Sequence, residues 1–336
     1  MPDSALSLLP PLVAIVIAIW RKNALFALLS GVILSHVMIM QWQPIQGISS
    51  TVSGFIDVFS SVGNIYIITF SLLIGAMVKL LSDSGAVNGF IEHLASMNLV
   101  KNKRQASMLP TMLGTSIFTD TNLSMFTAGM ASQQLFDRHN LSRARLAYLL
   151  DSTCAPISIL FLINGWGAYV LGLLDGFSFD DPVGVLIGTV AYNFYAIIAV
   201  ALAYYTAYSG KVFGPMAKTS SLTEGVNTEG QTEHTTKIGP ARVMWLPLIS
   251  LLSITLGLLW ITGDGDMRRG SGSFSVFWAI VSAVTIVISM VSFYKLLTPK
   301  QIIRTFFNGI MYMFPAVMIL VLSFAFGDAI KALGTG

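Results

Sequence analysis

The chain is poor in charge. Its 336 residues include 19 Lys and Arg and 16 Asp and Glu, so 10% are charged, where a soluble domain carries about a quarter. Hydrophobic residues make up 54%, and the mean hydropathy is +0.73. This balance excludes an ordinary soluble domain and implies an all-α polytopic membrane protein. Strands of about ten residues with alternating polarity are missing, which argues against an outer-membrane barrel. The single Cys154 excludes an internal disulfide and a cysteine zinc cluster. No basic patch is interleaved with aromatic residues, so the net charge of +3 concerns topology and not nucleic acid. The first apolar run has Arg21 and Lys22 after it and no small-residue cleavage site. It reads as a retained span, not as a secretory signal.

What is present is a series of apolar runs. Residues 5–20 read as a first span and 24–40 as a second. Gln41 to Ser50 reads as a polar turn. Residues 51–82 exceed the roughly 20 residues of one span. They divide into a short helix at 51–60, carrying Asp57, and a span at 64–82, with the break at Gly63-Asn64. Residues 84–97 are weakly apolar and read as a surface helix. Lys101, Lys103 and Arg104 form a basic cluster. Spans follow at 184–208, 243–262 and 273–294, with a last apolar stretch at 305–331. Residues 209–241 are rich in Ser, Thr, Gly and Glu and read as a mobile linker. The expected division is therefore a first transmembrane repeat at 1–208, a cytoplasmic linker at 209–241 and a partial second repeat at 242–336.

Two polar interruptions organise the chain. The first is Phe118-Thr119-Asp120-Thr121-Asn122, between two apolar arms in 105–136. The second begins at Asp151-Ser152-Thr153-Cys154-Ala155-Pro156 and continues at Asn164-Gly165-Trp166-Gly167, within a stretch read as a broken helix over 146–174. At membrane depth such breaks survive only when buried in protein or lining a watery cavity. Charge decides the form of the first. If 105–136 is a re-entrant hairpin, most basic residues fall on one side of the membrane. Only Arg268, Arg269 and Lys331 fall on the other. If it crosses, they divide almost evenly. The positive-inside rule favours a hairpin entering from the cytoplasm, with the amino terminus outside.

A weak internal repeat accompanies this topology. Gly75, Lys79 and Leu81 align with Gly327, Lys331 and Leu333, and Ser53-Gly54 answers Asn308-Gly309. The two copies are expected to run in opposite directions, the mark of an inverted-repeat transporter. The second copy is expected to lack a hairpin and a broken helix of its own.

The breaks carry the candidate chemistry. Burial of Asp120 at a hairpin tip would favour its neutral form and suit it to exchange a proton for a cation. Thr119, Thr121, Asn122 and Ser124 offer neutral oxygens, which suit sodium. A capped turn, with Asp120 satisfying backbone N–H groups, is the plainer alternative. Pro156 lacks an N–H and crowds the carbonyl of Ser152, which predicts a break that frees carbonyls beside Asp151, Ser152 and Thr153. The plainer alternative is a proline kink with Asp151 paired to Arg145 or to a lysine. Asn164 and Trp166 are candidate contacts for an organic solute. Gly263-Asp264-Gly265-Asp266 faintly evokes an intramembrane aspartyl protease, but it falls in an outer loop with no Tyr-Asp partner. No enzyme activity and no cofactor are expected, only a transported sodium ion.

Having reached these residues, a family pattern is visible. Asp120 with Asn122, Gly129, Asp137, Ser142-Arg143, Leu146-Ala147-Tyr148, Asp151-Ser152-Thr153, Ala155-Pro156 and Trp166-Gly167-Ala168-Tyr169 resemble the NhaC-type sodium/proton antiporter family. Leu9-Pro10-Pro11-Leu12 and Leu333-Gly334-Thr335-Gly336 also resemble its members. The resemblance implies a secondary transporter of the inner membrane, with inverted repeats and two re-entrant hairpins. It implies exchange of sodium and protons, in some members coupled to small organic acids or amino acids. Asp120 and Asp151 would then carry the ion and proton. The family often has adjacent acids at the tip, where this chain has Asp120-Thr121, and a Ser pair where it has Asn164-Gly165. The resemblance also implies a longer chain, so a transport-incompetent fragment is a further alternative. Membrane lipid is an expected partner, and a homodimer is left open.

Overall fold

The computed structural model describes all residues except 1–4, 97–99, 101, 119–120, 163, 165, 168–169, 172–173, 175–180, 213, 215, 217–237, 267–269 and 335–336. The side chains of residues 5, 94–96, 122, 123, 126 and 134 also lie outside the description. The linker expected at 209–241 falls mostly outside it. Among the described residues the chain is helical and has no strand.

The helices are α1 (Leu9–Arg21), α2 (Ala24–Ile39), α3 (Pro44–Val58), α4 (Val62–Asp83), α5 (Ala86–Ser96), α6 (Lys103–Ser116) and α7 (Thr121–Arg138). They continue as α8 (Arg143–Leu160), α9 (Pro182–Val190), α10 (Phe194–Ser209), α11 (Arg242–Thr262), α12 (Gly272–Phe293) and α13 (Pro299–Ala332). Local chemistry sets many of their starts. The side chains of Asn23, Ser61, Asn102, Ser142 and Asp181 each accept from a backbone N–H of the first turn. Thr298 and Gln301 form a reciprocal capping box at the start of α13.

Four helices, α4, α11, α12 and α13, are long and apolar enough to cross a membrane. Two further pairs qualify together, α2 with α3 across a 120° bend and α9 with α10 across a 45° bend. The chain is an all-α polytopic membrane protein.

The centre of the packing is α4 against α13 and α12. Phe70, Met77, Leu80, Leu81, Ile280 and Val287 are buried there. Gly75 and Gly309 let α4 and α13 touch backbone to backbone. Eight residues further along α4, Asp83 accepts from the Thr305 hydroxyl at 3.2 Å. As the α4 numbers rise the α13 numbers fall, so the two helices run antiparallel.

Several boundaries differ from the expected ones. The break before α4 falls at residues 59–61, not at Gly63-Asn64. Asn64 still serves it, donating to the Val58 carbonyl at 3.1 Å. Residues 305–331 do not repeat the broken form of 51–82, because α13 runs unbroken through Pro315. Helix α5 is not a surface helix. Its Val87 and Phe90 are buried, and Phe90 meets Trp245 of α11 edge-on at 5.2 Å. Gly89 gives room for the Gly239 carbonyl, which a Cβ would overlap. Lys79 pairs with Asp83 one turn on, at 2.9 Å.

A candidate ion site where two interrupted helices meet

Helices α6 and α7 fold back on each other. The Ser124 hydroxyl donates to the Gly114 carbonyl at 3.1 Å. Ten residues of unbroken helix would hold these positions about 15 Å apart. The stretch 105–136 is therefore a helical hairpin. Thr119 and Asp120, at its tip, lie outside the described residues, as does the Asn122 side chain.

Helix α8 passes straight through Asp151, Ser152, Thr153 and Pro156 and ends at Leu160. The break expected at Asp151–Pro156 therefore lies further on, beginning at Phe161. A proline inside a membrane helix is tolerated where neighbours satisfy the freed groups. Here the turn before Pro156 is tied by Thr153, whose hydroxyl donates to the Leu149 carbonyl at 2.6 Å.

The two interruptions meet. The Phe118 and Phe161 rings stack at 5.0 Å, each just past the end of its helix. Asn164 ties the breaks together. Its Nδ2 donates to the carbonyls of Ser158 at 2.6 Å, Phe161 at 2.8 Å and Phe118 at 3.2 Å. Its Oδ1 accepts from the Gly167 N–H at 3.0 Å. The residue is 2% exposed. Its amide is thus engaged with backbone on both sides. Trp166, the other candidate solute contact, is 53% exposed.

Below this seam lies a small cluster of neutral oxygens. Thr121, the first residue of α7, shares a hydrogen bond with Ser158 at 3.1 Å. Ser158 also donates to the Cys154 carbonyl at 2.9 Å. A Cβ on Gly114 would stand 2.5 Å from the Thr153 hydroxyl and 3.1 Å from the Cys154 sulfur. Gly114 therefore lets α6 press against α8 at this level. The Cys154 side chain reaches Ser124 and Thr153. Ser124, Thr153 and Ser158 are buried.

Asp151 lies outside this cluster. It is exposed on α8, on a stripe with Ala147 and Ala155, while Thr153 and Cys154 turn inward. Ser152 is half-buried. The structure thus brings together Thr121, Ser124 and Thr153 from the expected residues and adds Gly114, Cys154 and Ser158. Ser158 has a sequence signal, a hydroxyl one helical turn before the interruption. Among the described residues no group of three or more His, Cys, Asp or Glu stands ready to hold a metal ion. An ion held in this cluster would be bound mainly by neutral oxygens, which suits a hard monovalent cation.

Helix α10 braces both halves. Buried Arg145 donates to the Thr206 carbonyl at 2.7 Å and to the Gly210 carbonyl at 3.5 Å. This places a cation at the C-terminal end of α10, where the helix dipole favours positive charge. The alternative pairing of Arg145 with Asp151 is not formed. Thr115 shares a hydrogen bond with the Tyr204 hydroxyl at 2.8 Å, and Arg104 lies over the Tyr208 ring at 4.2 Å.

Away from this region, His36 bonds Ser50 at 3.0 Å and leaves no room for a side chain at position 54.

Membrane-crossing helices around paired interruptions define a polytopic helical membrane protein with broken helices, a form that secondary transporters use. Comparison with known proteins is more particular. The Na+/H+ antiporter family matches residues 148–336, more than half of the chain, and the protein belongs to that family. It is a transporter of the sodium/proton antiporter type. The matched region includes Asp151 and Asn164 and begins after the α6–α7 hairpin. An uncharacterized protein of Haemophilus influenzae (strain Rd) is 28% identical over 358 residues, covering 99% of this chain and 68% of the relative. No solved structure matches the chain.

Proposed function

We propose that the protein is an NhaC-type antiporter of the inner membrane, exchanging sodium for protons by alternating access. The observation that carries this reading is the meeting of the two interruptions at Phe118 and Phe161, with neutral oxygens packed beneath them. Asp120 and Asp151 are the residues assigned to the proton and cation, Asp151 from an exposed face of α8 outside the oxygen cluster. Thr119, Thr121, Asn122, Ser152 and Thr153 supply neutral ligands. The hairpin enters from the cytoplasm, as the distribution of basic residues supports. Exposed apolar side chains such as Ile19, Trp20, Tyr195 and Phe293 face lipid.

The test is sodium-driven proton movement in proteoliposomes. Sodium-dependent flux is expected from the wild-type chain and is lost in Asp120→Asn. Flux unchanged by that substitution would remove Asp120 from the site. Asp151→Asn tests the second carboxylate in the same way.

A second reading is a sodium- or proton-coupled exchanger of a small organic acid or amino acid. The exposure of Trp166 beside the interruption favours it. Proton flux that requires an added organic acid and is altered by Trp166→Ala would select this reading. Flux absent with every solute tried would point instead to a chain that does not transport by itself.

A further inference from the structure

Helix α6 carries a proline in its interior, Pro110. Proline has no N–H to give the carbonyl of Ala106, so a helix bends most readily at such a point. The point divides α6 in two. The base begins at Lys103, at the open end of the hairpin. The tip side, residues 111–116, carries Gly114. Its carbonyl takes the Ser124 hydroxyl, and its bare Cα admits Thr153 and Cys154. The neutral-oxygen cluster therefore depends on where this short segment stands.

Helix α10 holds α6 on both sides of that point. On the base side, the Arg104 guanidinium lies over the Tyr208 ring at 4.2 Å. On the tip side, Thr115 shares a half-buried hydrogen bond with the Tyr204 hydroxyl at 2.8 Å. Counting protons fixes the direction of that bond. The Thr115 hydroxyl has one proton, and it goes to the Met112 carbonyl at 2.9 Å. Tyr204 therefore donates to Thr115. It acts through this residue, the neighbour of Gly114, and not as a ligand.

We propose that Tyr204 is a positioning residue for the ion site: its hydroxyl fixes the tip side of α6 against α10 and so keeps the Gly114 carbonyl, Ser124 and Thr153 in the arrangement that receives a monovalent cation. The proposal rests on the ion-transport reading above and deepens it. Without the hydroxyl, the tip side pivots at Pro110 while Arg104 keeps the base in place. The arranged state is then populated for a smaller fraction of the time, and the apparent affinity for the cation falls by that fraction. Once filled, the site has all its ligands, so the maximal rate changes little.

The test reads sodium in two ways on the full chain. The first is thermal unfolding in detergent against sodium concentration, with choline holding the ionic strength constant. An ion that binds the folded state raises its melting temperature. The second is sodium-dependent proton flux in proteoliposomes. Tyr204→Phe is expected to raise the half-saturating sodium concentration about fivefold in both, the size of effect that one hydrogen bond carries. Maximal flux should stay close to wild type. A merely structural role would lower the melting temperature equally at every sodium concentration and leave the midpoint where it was.

Thr115→Val should act like Tyr204→Phe from the other side of the bond, and Thr115→Ser should keep the wild-type midpoint. The double variant, Tyr204→Phe with Thr115→Val, should be no worse than either single one. Tyr208→Phe keeps its ring beneath Arg104 and should match wild type. If Tyr204→Phe fails to fold, the two Thr115 variants carry the same test. An unchanged midpoint in Tyr204→Phe, or additive losses in the double variant, would overturn the role. A wild-type chain whose melting ignores sodium would overturn the ion reading and this role with it. Melting that follows sodium without any flux would strike the antiport reading alone, and the midpoint of Tyr204→Phe would still decide the role.

Discussion

Gly75 on α4 and Gly309 on α13 face one another so closely that a Cβ on either would overlap the other's carbonyl oxygen. Backbone lies on both sides, so no flexible side chain can move away. Gly309→Ala is expected to cost about 1–3 kcal/mol through overpacking. Gly327→Ala, on the same helix, meets nothing within 4 Å and should be neutral or stabilising by up to about 1 kcal/mol. Thermal unfolding in detergent compares the two. Equal melting temperatures would mean that α4 and α13 do not touch in this way.

Asn164 is expected to tolerate almost nothing. Its amide donors serve three carbonyls, and Asn164→Ala leaves buried acceptors unpaired at about 1–3 kcal/mol each. Asn164→Asp should be no better, because a carboxylate cannot donate to those carbonyls. Both variants should melt earlier than wild type. An Asn164→Asp protein as stable as wild type would show that the amide does not hold the seam.

The Thr121–Ser158 pair should tune ion affinity without holding the fold. Thr121→Val removes one neutral oxygen and is expected to raise the half-saturating sodium concentration about tenfold, near 1.4 kcal/mol. Thr121→Ser should keep most of the affinity. Flux as a function of sodium distinguishes these outcomes. Identical curves for the valine and serine variants would exclude Thr121 as a ligand.

Arg145 acts by geometry as well as charge. Its guanidinium reaches the Thr206 and Gly210 carbonyls together. Lysine keeps the charge but loses the planar fork, so Arg145→Lys should cost about 1–3 kcal/mol. Arg145→Met should cost at least as much. Thermal unfolding reads both, and a fully stable lysine variant would make the contact one of charge alone.

Much of this was legible before any coordinates. Composition points to the membrane class, and the structure agrees. The hairpin was legible because polar Thr119–Asn122 splits an apolar stretch and the charge balance chose between its two forms. The second interruption starts after Phe161 and not at Asp151–Pro156, because membrane helices carry proline when neighbours satisfy the backbone, whereas Asn164 lies in it as expected. The true end is marked by Asn164, whose partners Phe118 and Ser158 are 46 and 6 residues away in sequence. Long-range satisfaction of that kind has no local signature. Helix α5 was misread for a related reason, since Val87 and Phe90 find their cover in α11 and its approach, far along the chain.

Helix α10 grips α6 through Tyr204 and Tyr208 and α8 through Thr206 and Gly210. It is a splint set across both interrupted elements. A displacement of either one must drag the other with it. The oxygens between them are therefore held from a single side, so loosening α10 would loosen both interruptions at once.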